Sequence, residues 1–418
     1  MTAAGSKLLA GAAWLTASPL VRVFDLLDSD GEEARVVGGA VRNALLDLPV
    51  SDIDVATTAL PDEVIRRARK AGIRAVPTGI DHGTVTLIID AQPFEVTTLR
   101  EDVETFGRKA KVAFGRDWTR DAQRRDFTIN ALSVTRDGTV HDTVGGLADV
   151  EARRVCFIGD AGTRIAEDYL RILRYFRFYA AYGEGEPDPA ALSACIAGRD
   201  GLASLSRERI RAELAKLLVA RNVGAAITQM AEAGLLLRII GGVALPHSLE
   251  RMVGIEAVLD LAPDATRRLG ALTLFIPDDA ARLFERLRLS NGEFQRLEAM
   301  ADGWWRLADG DLSPQATRAL LYRSGPEAFT DRVLLAWSRS SADADSKIWR
   351  ELAELSRRWP IPVLPISAAD LIARGIEKGP ALGAALRAAE EAWIAADFPQ
   401  DPSVISAIAD AAAKARVA

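Results

Sequence analysis

Cysteine and histidine are nearly missing from this chain. Two cysteines in 418 residues, Cys156 and Cys195, are too few and too isolated for a disulfide framework or a thiolate metal site. The three histidines, His82, His141 and His247, are scattered, which excludes the imidazole cluster of a zinc hydrolase or a histidine–aspartate phosphohydrolase domain. Any metal must then be held by oxygen, which points to magnesium. Long apolar runs are missing as well. Stretches such as 233–245 are broken by Gly or Arg well short of the ~20 residues that a membrane span needs. The first twenty residues lack a cationic start followed by a cleavage site, so no membrane partner and a cytoplasmic location are expected. Excess positive charge is absent too: a net charge of −6 argues against indiscriminate nucleic-acid binding, which rests on lysine and arginine. Locally the balance reverses only slightly, with eight Lys/Arg against five Asp/Glu over 100–125 and ten against eight over 164–221.

A hydrophobic content of 49% over this length can bury a large core and favours two to four domains. Up to about residue 140, short strand-like runs (RVV, DIDVATT, TVTLIID, FEVTTLR, ALSVT) alternate with helical stretches such as 61–72, which Pro61 opens and Gly72 ends. The runs TVTLIID and PFEVTTLR flank a short Ala-Gln connection, and ALSVTRDGTVHD contains an Asp-Gly turn, so both predict antiparallel hairpins. From about 164 the strand signals stop. Segments 164–181, 206–221, 225–238, 266–289 and 292–308 carry apolar residues at three and four spacing, which predicts helices. The class expected is α+β: an N-terminal domain with a small sheet, then helices. GEGEPDP at 183–189 reads as a loop, and the Ala-rich end, 403–418, as a fraying helix.

The chemistry concentrates in VVGGAVRNALLDLPVSDIDVATT, residues 36–58. Strand side chains alternate faces, so Asp52 and Asp54 project together from one face with Cα atoms ~6.6 Å apart, leaving Ile53 for the core. Two carboxylates so placed need a cation between them, although a lone pair of this kind is also common on a solvated strand edge. Gly38 and Gly39 follow a β-branched run and open a helix, offering bare backbone N–H groups to an anion. Arg42, one turn along, adds a forked donor for a phosphate. No GxxxxGK[ST] occurs in this segment, so a phosphate cradle here is not a P-loop. Glu95 in FEVTT has the parity to point opposite Phe94 and Val96; it either joins the same site from a neighbouring strand or is a surface glutamate.

GGAVRNALL…DIDVATT is followed by RRDFTINAL (124–132), DTVGGLADVEARRVCFIG (142–159), EDYLRILRYFRF (167–178) and SRERIRAELAKLL (206–218). In this order the five segments resemble the class II CCA-adding tRNA nucleotidyltransferase and poly(A) polymerase family, over roughly the first 240 residues. The resemblance implies a nucleotidyltransferase head at 1–145, a helical neck that recognises the base at 146–240, and a helical body and tail at 241–418 for tRNA. It implies that Asp52 and Asp54 bind catalytic Mg²⁺, that Gly38, Gly39 and Arg42 meet the triphosphate, and that Arg125 and Asp126 meet the ribose and phosphates. Asp168, Arg171, Arg174 and Arg177 form one stripe on a helix, which the resemblance assigns to the base. Cytosine and adenine both offer an exocyclic amine donor beside a ring-nitrogen acceptor; an aspartate acceptor beside an arginine donor accepts these two and refuses uracil and guanine, without a template. Read by themselves, these residues equally describe an amphipathic helix with an intrahelical Asp168–Arg171 pair.

The implied function is addition of CMP and AMP, from CTP and ATP, to the tRNA 3′ end. Alternatives left open are a poly(A) polymerase, a CC- or A-adding specialist, and a tRNA-binding protein without catalysis. The segment 142–154 resembles the family's hinge, with Gly145 and Gly146 supplying freedom. Ser206 is expected to cap a helix, and SRERIRAELAKLL is read as structural. The chain departs from the family pattern at Asn43, where Asp is usual, and at Asp47, where Gly often stands. Residues 372–399 resemble a helix-turn-helix segment whose Lys378 and Arg387 either meet RNA or belong to a packing module.

Overall fold

The computed structural model describes residues 9–106, 109–308 and 313–414, and these form nine short strands and a long succession of helices. The strands are β1 (Ala34–Val37), β2 (Asp54–Thr57), β3 (Arg74–Gly79), β4 (Thr84–Ile89), β5 (Gln92–Thr98), β6 (Arg100–Phe106), β7 (Lys109–Phe114), β8 (Ser133–Val134) and β9 (Val140–His141). Seven of them form one sheet in the order β3-β4-β5-β2-β1-β8-β9, while β6 and β7 pair separately. The β2–β5 pairing is parallel and the others are antiparallel, so the sheet is mixed.

Both expected hairpins form. Ile89 pairs with Gln92, so the turn residues are Asp90 and Ala91 rather than Ala-Gln. Both have positive φ, 51° and 63°, the backbone twist that a two-residue hairpin needs. Side chains on β4 and β5 alternate, burying Val85, Leu87, Ile89, Phe94 and Val96. Three strands escape sequence reading. β3 contains Pro77 and Gly79, and lies at the sheet edge, where a missing N–H costs no ladder bond; β6 and β7, which pair with each other, are the others.

Among the helices, α1 (Ser18–Leu27), α2 (Gly39–Leu45) and α3 (Pro61–Lys70) accompany the sheet. α3 begins with Pro61 at its first position, has Asp62 and Glu63 in its first turn and basic residues in its last, matching the helix dipole at both ends. Then follow α4 (Trp118–Gln123), α5 (Gly146–Glu151), α6 (Ala161–Glu167), α7 (Leu170–Tyr182), α8 (Pro189–Ala197), α9 (Arg207–Leu218), α10 (Val223–Glu232) and α11 (Leu235–Ile240). By its contacts the chain divides into two units, Met1–Ile239 and Ile240–Ala418.

The second unit is all-helical in its described residues: α12 (Pro246–Val258), α13 (Ala265–Thr273), α14 (Pro277–Leu287), α15 (Asn291–Ala301), α16 (Trp305–Ala308), α17 (Pro314–Ser324), α18 (Pro326–Arg339), α19 (Lys347–Arg358), α20 (Ala368–Ile372), α21 (Pro380–Ala395) and α22 (Pro402–Lys414). The stretch 266–289, expected as one helix, is two, because Pro277 cannot continue α13 and instead starts α14. Likewise 225–238 breaks at Gly234, with φ 69°. The centre of this unit is α18, whose Val333, Leu334, Leu335 and Trp337 are fully buried. Beside it runs a buried ionic net: Glu256 receives Arg267 at 2.8 Å and Arg268 at 2.7 Å, and Asp331 receives Arg267 at 3.0 Å and Arg296 at 2.6 Å. Among the described residues no helix is long and apolar enough to cross a membrane. The last four residues of the expected C-terminal helix, 415–418, lie outside the described residues.

Candidate active site

The antiparallel register sets Val37 opposite Asp54, and the parallel one sets Asp54 beside Glu95. One row across three strands therefore ends β1 next to two carboxylates. Immediately after Val37 the chain turns through Gly38, at φ 70° and ψ −120°, a conformation open in practice only to glycine. Gly39 then begins α2, whose first-turn N–H groups have no intrahelical acceptor. Asp52 does not share the strand as expected: β2 starts at Asp54, and Asp52 lies in the extended segment before it, with Ile53 half-buried. Its charge still reaches the site. Burial, then Glu95, then Asp52 push the Asp54 carboxyl above its ordinary range, and Arg125 opposes them.

Asp54 with two acidic neighbours that repel it and one guanidinium that opposes them is an oxygen-only donor set short of positive charge. That suits a hard divalent cation whose coordination is completed by water and substrate phosphates. Among the described residues no group of three or more His, Cys, Asp or Glu side chains is placed to hold a metal ion, so Asp52, Asp54 and Glu95 do not form a ready three-ligand site.

Two guanidiniums flank the glycine turn. A methyl built on Gly38 would stand 3.4 Å from Arg125 Nη1, and one on Gly39 would stand 3.7 Å from Arg42 Nη2. Arg125 Nη2 donates to Asp121 Oδ2 at 3.1 Å. Asp121 is buried, which raises its carboxyl, yet Arg125 and Arg124 outweigh burial and hold it below the ordinary range. Arg42 is not the open fork that the sequence suggests. It is 6% exposed, and it donates to Asn43 Oδ1 at 2.9 Å, to the Tyr182 hydroxyl at 2.6 Å and to Asn130 Oδ1. Its guanidinium lies 3.8 Å from the centroid of the Tyr182 ring. Burial lowers its pKa. Asn43 also donates from Nδ2 to Pro49 O at 2.9 Å, so the amide at the departing position closes the loop after α2. The other departure, Asp47, has φ 55°, the left-handed geometry that explains the usual glycine.

The stripe expected to read the base is built differently from the expected one-helix arrangement. Asp168 precedes α7, extended at φ −155° and ψ 107°, and its Oδ1 accepts from Leu170 N at 3.1 Å. The intrahelical Asp168–Arg171 pair does not form. Asp168 is paired with Arg209 of α9 at 2.6 Å, and Arg171 with Glu167. Arg174 reaches Asp126 at 2.6 Å, and Arg177 reaches Glu213 at 2.7 Å. Asp126 is thereby buried under Arg174 instead of projecting freely. Packing places these partners: Phe127, next to Asp126, meets Phe157 at 4.8 Å and Phe178 of α7 at 5.2 Å.

Reasoning from sequence missed Arg209, Glu213, Glu167, Asp121, Asn130 and Tyr182. Arg209 and Glu213 sit four apart on one face of α9, the one signal that SRERIRAELAKLL contained. Its Ser206 does cap α9, accepting from Arg209 N at 3.4 Å. The segment 142–154 is tightly fastened: the Asp142 carboxylate accepts from the N–H groups of Val144, Gly145, Gly146 and Leu147 at 2.9 to 3.1 Å. Gly145 takes φ 84°, while a methyl on Gly146 would stand 2.3 Å from Thr128 O, so these glycines serve a turn and a close approach.

Residues 34–156 match the family described as "Poly A polymerase head domain", and 186–244 the one described as "Probable RNA and SrmB- binding site of polymerase A". The chain is 35% identical over 382 residues to the zebrafish (Danio rerio) protein "CCA tRNA nucleotidyltransferase 1, mitochondrial", covering 90% of this chain and 86% of that one. To the "CCA-adding enzyme" of Limosilactobacillus fermentum it is 32% identical over 376 residues, covering 88% and 90%. Among solved structures, that of the Bacillus stearothermophilus CCA-adding enzyme in complex with CTP superposes with a TM-score of 0.73 at 26% identity, over 93% of this chain and 96% of that one.

Proposed function

The chain belongs to the family of CCA-adding tRNA nucleotidyltransferases and poly(A) polymerases, and from that premise we propose that it adds CMP and AMP, from CTP and ATP, to the 3′ end of tRNA without a template. The observation that carries this reading is the row Val37, Asp54, Glu95 beside a glycine turn flanked by two guanidiniums. Enzymes of this family use divalent metal ions. We assign Mg²⁺ to Asp52 and Asp54, where it would supply charge neutralisation at the α-phosphate and a more acidic 3′-hydroxyl.

The chain's own residues do the positioning. Backbone amides after Gly38 seat the triphosphate at the start of α2, and Arg125 and Arg42 supply positive charge from either side. The tRNA 3′-oxygen then attacks the α-phosphorus, the bond to the bridging oxygen breaks, and pyrophosphate departs in line. Asp168 and Arg171 face the base edge, accepting from the exocyclic amine and donating to the ring nitrogen of C or A. Their outward partners, Arg209 and Glu167, hold the two groups in place, as Asp126 and Glu213 hold Arg174 and Arg177 for the ribose and base. In this scheme residues 1–145 carry the chemistry, 146–240 read the base, and 241–418 hold the acceptor stem through phosphate and shape contacts. A cytoplasmic location belongs to the same proposal, supported by Cys156 and Cys195 both being free thiols.

Incubation with tRNA lacking its CCA end, Mg²⁺ and single labelled nucleotides tests the reading. CTP and ATP are incorporated and UTP and GTP are not; comparable incorporation of all four would overturn the base-selection argument, and a long adenylate tail would make the protein a poly(A) polymerase.

A further inference from the structure

Two arginines stitch helix ends together behind the groups proposed to read the base. Arg171 Nη1 donates to the main-chain carbonyl of Arg164 at 2.7 Å and to the Glu167 carboxylate. That carbonyl belongs to the last turn of α6, where backbone acceptors have no intrahelical partner. The Arg164 side chain reaches the opposite way. Its Nη1 lies 3.2 and 3.3 Å from the two Glu167 oxygens, its Nε donates to Ile158 O at 3.0 Å, and its Nη2 donates to Gln123 O. Gln123 ends α4, two residues before Arg125, whose Nη1 would stand 3.4 Å from a methyl on Gly38.

Arg164 is thus the single residue bonded both to Arg171 and to the end of the helix that leads into Arg125. Glu167 doubles the tie, because one carboxylate holds both guanidiniums, at 18% and 16% side-chain exposure. Three acceptors on three segments are met by one rigid planar fork, which a lysine ammonium, a compact point donor, cannot span. We propose that Arg164 is a positioning residue for base selection, tying Arg171 to the end of α4 so that engagement of the correct base also steadies Arg125 beside the glycine turn. Recognition is then felt in the rate of phosphoryl transfer, through alignment of the phosphates, and not in nucleotide binding alone. The inference rests on the nucleotidyltransferase reading, because it needs a base against Arg171 and a triphosphate on the turn.

The test is steady-state incorporation from CTP and from UTP, in separate reactions, by the full chain with tRNA lacking its CCA end and Mg²⁺. Arg164→Lys keeps the charge and loses the fork. It lowers kcat for CTP about tenfold, the worth of one charge-assisted hydrogen bond, while KM for CTP and kcat for UTP stay within about twofold. A purely structural role would slow both nucleotides alike. Glu167→Gln, which weakens the same tie from its other end, gives the same selective loss and serves if the lysine variant does not fold. In an Arg171→Ala background, Arg164→Lys costs no further selectivity, because it acts through Arg171. An unchanged ratio of CMP to UMP incorporation, an equal fall for both nucleotides, or a further tenfold loss in the Arg171→Ala background overturns the inference. A wild-type protein that incorporates CMP and UMP alike, or neither, overturns the underlying reading instead.

Discussion

Alanine substitutions at the two glycines of the turn separate what the turn does for folding from what it does for substrate. At Gly38, φ 70° and ψ −120° lie where an L side chain is strained by ~1–3 kcal/mol. The methyl itself meets Arg125 Nη1 at 3.4 Å and Asn130 O at 3.6 Å, ordinary contacts, so the cost is backbone strain and not collision. Gly39 has no positive φ and opens α2, and its methyl would meet only Arg42 Nη2, at 3.7 Å. Alanine there is tolerated and contributes up to ~0.5 kcal/mol of helix preference. The two variants thus differ in stability by about 2 kcal/mol, which urea denaturation reads as a midpoint difference of about 1 M for a slope near 2 kcal/mol/M. Both methyls crowd the surface proposed to seat the triphosphate, so KM for CTP rises at least about tenfold in each. If Gly39→Ala were as unstable as Gly38→Ala, or turned over CTP with an unchanged KM, the assignment of this turn would be refuted.

Other perturbations follow from the same geometry. Asp54→Asn abolishes CMP incorporation yet raises the thermal midpoint of the free protein, because Glu95 and Asp52 lose a repelling neighbour; a lower midpoint contradicts the acidic-cluster reading. Asp47→Gly relieves a left-handed residue at φ 55° and stabilises by ~0.5–1 kcal/mol in urea unfolding. Arg209→Ala releases Asp168 from its 2.6 Å partner, and the ratio of CMP to UMP incorporation falls about tenfold while CTP binding persists; an unchanged ratio removes Arg209 from base selection. Glu256→Ala leaves Arg267 and Arg268 without their shared carboxylate, itself 1% exposed, and destabilises the second unit by ~3–5 kcal/mol in denaturant titrations.

What the sequence made legible was local. The period of two put Glu95 on the Asp54 side of the sheet, and Pro61 with Gly72 bracketed α3. Asp-Gly marked the β8–β9 turn, where Gly138 takes φ 88°. What stayed hidden depends on contacts between distant segments. The helical spacing of Asp168 and Arg171 suggested a mutual pair, but packing of α7 beside α9 offered Arg209 to Asp168 and Glu213 to Arg177, from about 40 residues away. The fate of Arg42 could not be read either, since Asn130 and Tyr182 reach it from 88 and 140 residues along the chain. Edge strand β3 was masked by its Pro and Gly, residues whose strand penalty vanishes only once the edge position is known.

The central claim is that a triphosphate seated on the Gly38–Gly39 turn shares a divalent ion with Asp52 and Asp54. A crystal structure with CTP and Mn²⁺, the ion located by its anomalous signal, tests it most directly. The account predicts the Mn²⁺ peak within coordination distance of both aspartates and of the phosphates, with the phosphates on the amides that open α2. Mn²⁺ elsewhere, or a nucleotide bound away from this turn, would contradict it.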